Sequence, residues 1–397
     1  MEFLTVQEAA ERWKISPRLV QRYCVDGRIP GARKFSGAWA IPAGTQKPED
    51  PRRSGEAALP PEQQSAPMAP MPLMNTPFAP GRCQEAIQAM EDPEQREIAL
   101  AEYCYFSGQP EKAILLAERY LSHEEPALRL SACLIYTFAN LSLGQIHRAR
   151  AVLAEINQLA KAGREAASPL RVPAAFVAVT AAVLLHLPVP EEEFSLLQAQ
   201  IRLLPPGLRI FALYVQAHHA YLQGDYGRSV GIAEAVFSLE SQTYPIPAIY
   251  LHLAAVMSYM GLKQLEQAQA HLRAAWALAR PDDLIQGLGE HHGLLGGMLE
   301  AVLKKDDPEA FKRIIAITYR FSAGWRRVHN PATGHDVADN LTTTEFATAM
   351  LAARGWTNQE IADHLGVSVN TVKRHISLAL QKLDLRRRQD LSTYMLT

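Results

Sequence analysis

A chain of 397 residues with 48% hydrophobic content and a formal net charge of −1 is too long for one ordinary domain and rich enough in apolar residues for packed cores, so two or three domains are expected. The first ten residues are half polar, unlike a secretory signal. The most apolar stretches, around 130–143 and 173–187, are amphipathic or too short to span a bilayer, so the chain reads as cytoplasmic with no membrane partner. Cys24, Cys83, Cys104 and Cys133 show no CxxC spacing, which fits buried thiols in a reducing compartment. Residues 1–53 and 341–397 are net basic while the middle is net acidic. Any bound nucleic acid is therefore expected at the ends.

The first module, 1–44, opens with Thr5 and Glu8 spaced as a capping box before a helix that buries Ala9, Ala10 and Trp13. Ser16-Pro17 starts a second helix with Pro at its first position. That helix runs through Cys24, buries Leu19, Val20 and Tyr23, and is closed by Gly27. From Ala32 to Ile41 the pattern alternates as a hairpin whose tip is Ser36-Gly37. Two helices followed directly by a wing resemble the excisionase/MerR-like winged helix-turn-helix heads. That resemblance implies that Arg18, Gln21 and Arg22 read the groove while Arg33 and Lys34 touch the DNA backbone.

Nine prolines between Pro48 and Pro80 remove backbone donors and oppose helix, so 45–82 reads as an extended tether. A helical domain over 83–321 follows. Turn-plus-amphipathic-helix units begin at Gly108, Gly144, Gly224 and Leu262, with a small residue one helical turn in at Ala113, Ala149, Ser229 and Ala268. A divergent unit is expected near 187–200. The units resemble tetratricopeptide repeats, helical hairpins of about 34 residues in which a small residue allows close packing. They lack the usual Trp and closing Pro, and their lengths drift. The fold class expected is mainly α, an irregular helical-hairpin solenoid between two DNA-binding heads.

After a linker over 322–340, residues 341–397 give the strongest signal. Thr342 and Glu345 form a capping box, Gly355 ends the first helix, and Thr357 caps a short second helix carrying Ile361, Ala362 and Leu365. Gly366 makes the turn. Ser368 caps a third helix that buries Val372, Ile376, Leu380 and Leu383 and exposes Asn370, Lys373, Arg374, Ser377 and Gln381. A final short helix follows Arg388. Helix, tight turn and a second helix with an exposed basic face is the helix-turn-helix pattern. Leu341, Thr342, Glu345, Gly355, Glu360, Ile361, Ala362, Val367, Ser368, Thr371, Val372 and Lys373 carry a resemblance to the LuxR/GerE-type DNA-binding domain, over about one seventh of the chain. The resemblance implies that Lys373, Arg374 and Ser377 read base edges and that Thr342, Ser368, Asn370, Thr371 and Lys382 hold phosphates. Thr348, Ala349 and Trp356 depart from the family pattern and suggest local repacking, and His375 packs toward the scaffold helix.

Other chemistries find no support in the sequence. A phosphate-binding GxxxxGK[ST] loop is missing, and the acidic middle lacks the strands of a receiver domain. The Gly-rich 293–297 has no preceding strand and reads as a site of helix packing. His218-His219 and His291-His292 cannot both face one metal from a helix, and no Ser-His-Asp or Cys-His spacing stands out. The sequence therefore implies no enzyme, metal or cofactor. It implies a transcription regulator that binds double-stranded DNA as a homodimer, or as a monomer bridging two sites with its two unlike heads, with a small molecule, peptide or protein effector received by the helical middle. The alternative is a repeat scaffold whose terminal modules bind protein partners.

Overall fold

The computed structural model describes residues 3–25, 28–29, 31–35, 38–45, 47, 69–145, 147–153, 171–185, 188–329 and 341–395. The chain forms two compact units, 1–67 and 68–397. Within the first, α1 (Val6–Trp13) and α2 (Pro17–Val25) pack on a three-stranded antiparallel sheet of order β1-β3-β2. Strands β2 (Arg33–Phe35) and β3 (Ala38–Pro42) pair with Lys34 opposite Trp39. Strand β1 (Phe3–Leu4) adds to the far edge, opposite Pro42 and Ile41, a pairing the sequence reading did not anticipate. The capping box at Thr5 is formed in both directions. Ala9, Ala10, Trp13, Val20, Tyr23 and Ile41 make the core. Cys24 joins them, while Leu19, expected in the core, is half-buried. Gly27 and the Ser36-Gly37 tip lie outside the described residues.

In the second unit the regular elements among the described residues are all helical. After the short α3 (Cys83–Gln88), hairpins form from α4 (Pro93–Phe106) with α5 (Pro110–Ala117), and from α6 (Pro126–Ser142) with a helical stretch at 147–153. Next come α7 (Arg171–Leu184), α8 (Glu191–Gln200), α9 (Pro206–Leu222) with α10 (Tyr226–Leu239), and α11 (Pro245–Gly261) with α12 (Leu265–Ala279). Gly108, Gly144 and Gly224 have φ of +76°, +69° and +77°, the left-handed turn that ends a helix without steric penalty. At the fourth hairpin Lys263 takes this conformation instead, with φ +59°. Ala113, Ala149, Ser229 and Ala268 are fully buried, so each second helix sits close on the first. Ser229 also bonds Ser258 Oγ at 2.7 Å.

Two linker assignments are corrected. Residues 70–78, read as tether because of their prolines, lie in the core: Met71, Leu73, Met74 and Phe78 are buried among the helices. Residues 322–329, read as a linker, continue a long helix, α15 (Pro308–His329), which follows α14 (Met298–Asp306).

The helices after Ala279 fold back on the first hairpins rather than extending the row. Asp282 accepts from the amides of Gly81 (2.6 Å) and Cys83 (3.0 Å), and Arg320 donates to Gly108 O at 3.1 Å. Glu290, at the end of α13 (Gln286–His291), is half-buried. It accepts from Tyr250 OH at 2.7 Å, Gln286 Nε2 at 3.0 Å and Tyr105 OH. Burial pushes its pKa up, only partly offset by those bonds. His291 joins Tyr214 at 2.8 Å. One hydrophobic cluster runs from Met71 to Leu391. No helix among the described residues is long and apolar enough to cross a membrane.

Candidate nucleic-acid interface

The C-terminal module is built from α16 (Thr343–Ala353), α17 (Asn358–Leu365), α18 (Val369–Lys382) and α19 (Asp390–Met395). Each of the first three starts on a side-chain cap that satisfies amides the helix cannot. Thr342 with Glu345 and Thr357 with Glu360 are complete capping boxes. Ser368 Oγ accepts from Thr371 N at 3.1 Å. Gly366, with φ +63°, closes α17 and turns the chain into α18. Ile361 and Ala362 of α17 are buried, as are Val372, Ile376 and Ala379 of α18 and the following Leu383. Ala379 takes the deep position expected of Leu380, which is half-buried.

This packing leaves one face of α18 in solvent. Asn370, Lys373, Arg374, Ser377 and Gln381 are all exposed, three or four residues apart and so on a common stripe. Lys373, Arg374 and Ser377, the expected base readers, stand together there. Ser368 and Thr371 flank the helix N-terminus and share a hydrogen bond at 2.8 Å. Their caps are spent on the helix itself, yet the dipole end beside them still favours an anion. Thr342 is exposed and acts as a cap for α16. Lys382 is engaged within the protein, its Nζ lying 2.7 Å from Glu345 Oε2. Burial alone would raise the Glu345 pKa, but Lys382 and Thr342 bring it below its ordinary value. The pair ties the end of α18 to the start of α16. His375 turns inward, with Nδ1 buried and lacking a hydrogen-bond partner.

Sequence reasoning missed the residues that hold this module against the helical domain. Arg354 donates to Leu294 O at 2.8 Å and to Tyr221 OH, with its guanidinium 5.8 Å from the Tyr221 ring. His364 Nε2 lies 3.1 Å from Gly296 O. Burial lowers its pKa against the opposing effects of that bond and of Glu300. Lys263 pairs with Glu360 at 3.2 Å and stands over the Trp356 ring. A Cβ at Gly293 would meet Phe346 at 2.8 Å, and one at Gly297 would meet Leu365 at 2.7 Å. The Gly-rich 293–297 is thus the platform on which the module rests. Trp356, buried in this junction, is also held by Arg388, which donates to its carbonyl and to Asn358. The contacts with the helical domain come from α16, α17 and the turn between them.

In the first unit Arg18, Gln21 and Arg22 are exposed on α2, and Arg33 and Lys34 on β2. The paired histidines have separate surroundings. His218 faces Tyr214, His219 packs on Phe194, and His292 pairs with Glu300 at 2.7 Å. Among the described residues no three His, Cys, Asp or Glu side chains are grouped to hold a metal.

A capped scaffold helix, a left-handed glycine turn and a second capped helix with an open basic stripe define a helix-turn-helix domain. Residues 339–395 match the family described as "Bacterial regulatory proteins, luxR family", and this segment is a luxR-family helix-turn-helix domain. A protein described as "Probable transcriptional regulatory protein SgaR", from Hyphomicrobium methylovorum, is 31% identical over 87 residues, or 22% of this chain. The chain spans 41% of that relative's length. No solved structure matches the chain.

Proposed function

We propose that the protein is a sequence-specific DNA-binding transcriptional regulator whose C-terminal domain reads double-stranded DNA with α18. The observation that carries this is the open stripe of Asn370, Lys373, Arg374, Ser377 and Gln381 on a luxR-family domain. Lys373, Arg374 and Ser377 read base edges, and the N-terminus of α18 with Ser368, Asn370 and Thr371 meets the phosphates. Lys382 reaches a phosphate only by leaving Glu345. The first unit is a second, winged DNA contact through Arg18, Gln21, Arg22, Arg33 and Lys34. The TPR-like helical domain receives the signal, and the protein acts as a homodimer, because one domain covers too few base pairs for high specificity.

The test is a gel-shift series against promoter fragments using the full chain. Lys373→Ala is expected to cost about 1–3 kcal/mol on the cognate site and to relax specificity there. Wild-type affinity should also fall steeply with salt. If Lys373→Ala binds as tightly as wild type, the assignment of α18 as the reading helix is wrong. A salt-independent response would favour a protein-binding scaffold.

A further inference from the structure

The segment 70–78 sits in the helical domain as a bound peptide would. Three of its backbone donors are met by side chains of helices distant in sequence: Met71 N donates to Ser131 Oγ at 2.8 Å. Leu73 N and Met74 N donate to the two oxygens of Glu102 at 2.9 and 3.0 Å. Phe78 N donates to Thr243 O at 3.2 Å. The Asn75 side chain folds the segment into a turn through Pro70 O and Met71 O, and its Oδ1 accepts Leu208 N at 2.9 Å. Leu73 is fully buried, and Met71, Met74 and Phe78 nearly so.

The receiving wall is shaped to a peptide backbone. Glu102 is fully buried on α4, a costly place for a carboxyl group unless hydrogen-bond donors are brought to it, and the segment brings two amides. Gly207 lies so close that a Cβ there would stand 2.0 Å from Met74 O. Main-chain capture by fixed polar groups, with side-chain anchors in apolar pockets, is how proteins bind short peptides.

We infer that the groove holding residues 70–78 is a peptide-binding site, filled in cis by the chain's own segment, and that its exchangeable ligand is a turn-forming peptide with Pro, Met, Leu and Phe at this spacing. This deepens the proposed signal reception and rests on that reading for its biological use. The groove also has a direct route to the DNA-binding domain. Helix α9 meets Asn75 at Leu208 and Arg354 at Tyr221, about 20 Å apart at 1.5 Å per residue. A tethered segment competes at an effective concentration in the millimolar range, so a free peptide enters only weakly while the wild-type segment is in place.

The test uses the full chain and a fluorescein-labelled peptide APMPLMNTPFAP, the sequence of residues 69–80, followed by anisotropy. The Leu73→Gly/Phe78→Gly variant weakens the cis segment. It is expected to bind the peptide at least about tenfold more tightly than wild type, reflecting the lost competition, and to reject a scrambled peptide. If this variant loses helical circular dichroism, saturating peptide should restore it. Folded variant without binding, equal binding to wild type and variant, or a helical signal that peptide does not restore each overturns the proposal. Lys373→Ala should bind the peptide as its parent does, so failure of the DNA assignment and failure of the groove are told apart.

Discussion

Replacing Arg354 by Ala tests whether the DNA-binding domain is held by the helical domain. The guanidinium donates to Leu294 O at 2.8 Å and to Tyr221 OH. Hydrogen bonds from a charged donor contribute about 1.5–3 kcal/mol each, and the cation–π contact with Tyr221 adds about 0.5–1 kcal/mol. One terminal nitrogen is buried without a partner, which subtracts from this. The net loss is about 3 kcal/mol, or on the order of a hundredfold in the docking equilibrium. Hydrogen exchange followed by mass spectrometry reads this directly. Amides over Gly293–Gly297 and the start of α17 should exchange about a hundredfold faster than in wild type, while those of α6 stay unchanged. Lys263→Ala, at a pair with both partners nearly half exposed, should have a much smaller effect, below about 1 kcal/mol. Exchange in Arg354→Ala within about threefold of wild type at 293–297 would refute the reasoning, because the latch would then contribute almost nothing.

Stability should respond to pH from two sides. Burial, and next the neighbouring His271, push the His252 pKa down to about 3 from 6.5, and burial also lowers that of His364. Neutral histidine is thus the folded form, and this contribution is full above pH 6.5 and lost as pH falls from there toward 3. Burial raises the Glu102 pKa from 4.5 to about 8 against its two amide bonds, so its contribution is full below pH 4.5 and lost as pH rises through 8. Thermal melts should show their maximum between these limbs, and His252→Phe should flatten the acid one; an unchanged acid limb would count against His252 as its source. Gly207→Ala forces a methyl into Met74 O and should cost about 1–3 kcal/mol or more, read as a lower melting temperature. Gly231→Ala, which meets nothing within 4 Å on α10, should instead stabilise by about 0.5–1 kcal/mol. If the two glycine variants melt alike, the close approach at Gly207 is not structurally important.

The parts legible in the sequence were those whose cause is local. A Thr three residues before a Glu reports its own hydrogen bonds, and Thr5, Thr342 and Thr357 all cap as spaced. The stripe on α18 follows from helical periodicity alone. Residues 70–78 misled because proline content reports the absence of helix and says nothing about burial. What buries them is Glu102, Ser131 and Gly207, which the chain brings to the segment only after folding. The fourth turn was legible from the helix that follows Leu262, although a non-glycine residue, Lys263, carries its positive φ. Lys382 looked free for phosphate because its partner, Glu345, lies 37 residues earlier. The docking residues Arg354 and His364 were invisible for the same reason: half of each contact belongs to Tyr221, Leu294 or Gly296, and although the Gly-rich 293–297 reads as a helix-packing site, nothing local names what packs there.

The side on which the DNA-binding domain is docked constrains how a signal could act. If the helical domain silenced the protein by masking, it would cover α18. Instead the contacts fall on Phe346, Arg354, Trp356, Glu360, His364 and Leu365, while Lys373, Arg374 and Ser377 stay in solvent. Docking therefore fixes the direction in which α18 points and leaves its chemistry unblocked. Direction matters little for one half-site and greatly for two, since paired recognition helices must match a spacing of about 34–36 Å along the duplex. Loosening the latch with Arg354→Ala should accordingly leave affinity for a single half-site nearly unchanged and lower affinity for the full operator. A marked gain on the single half-site would mean that docking hides a DNA contact, and presentation would have to give way to masking.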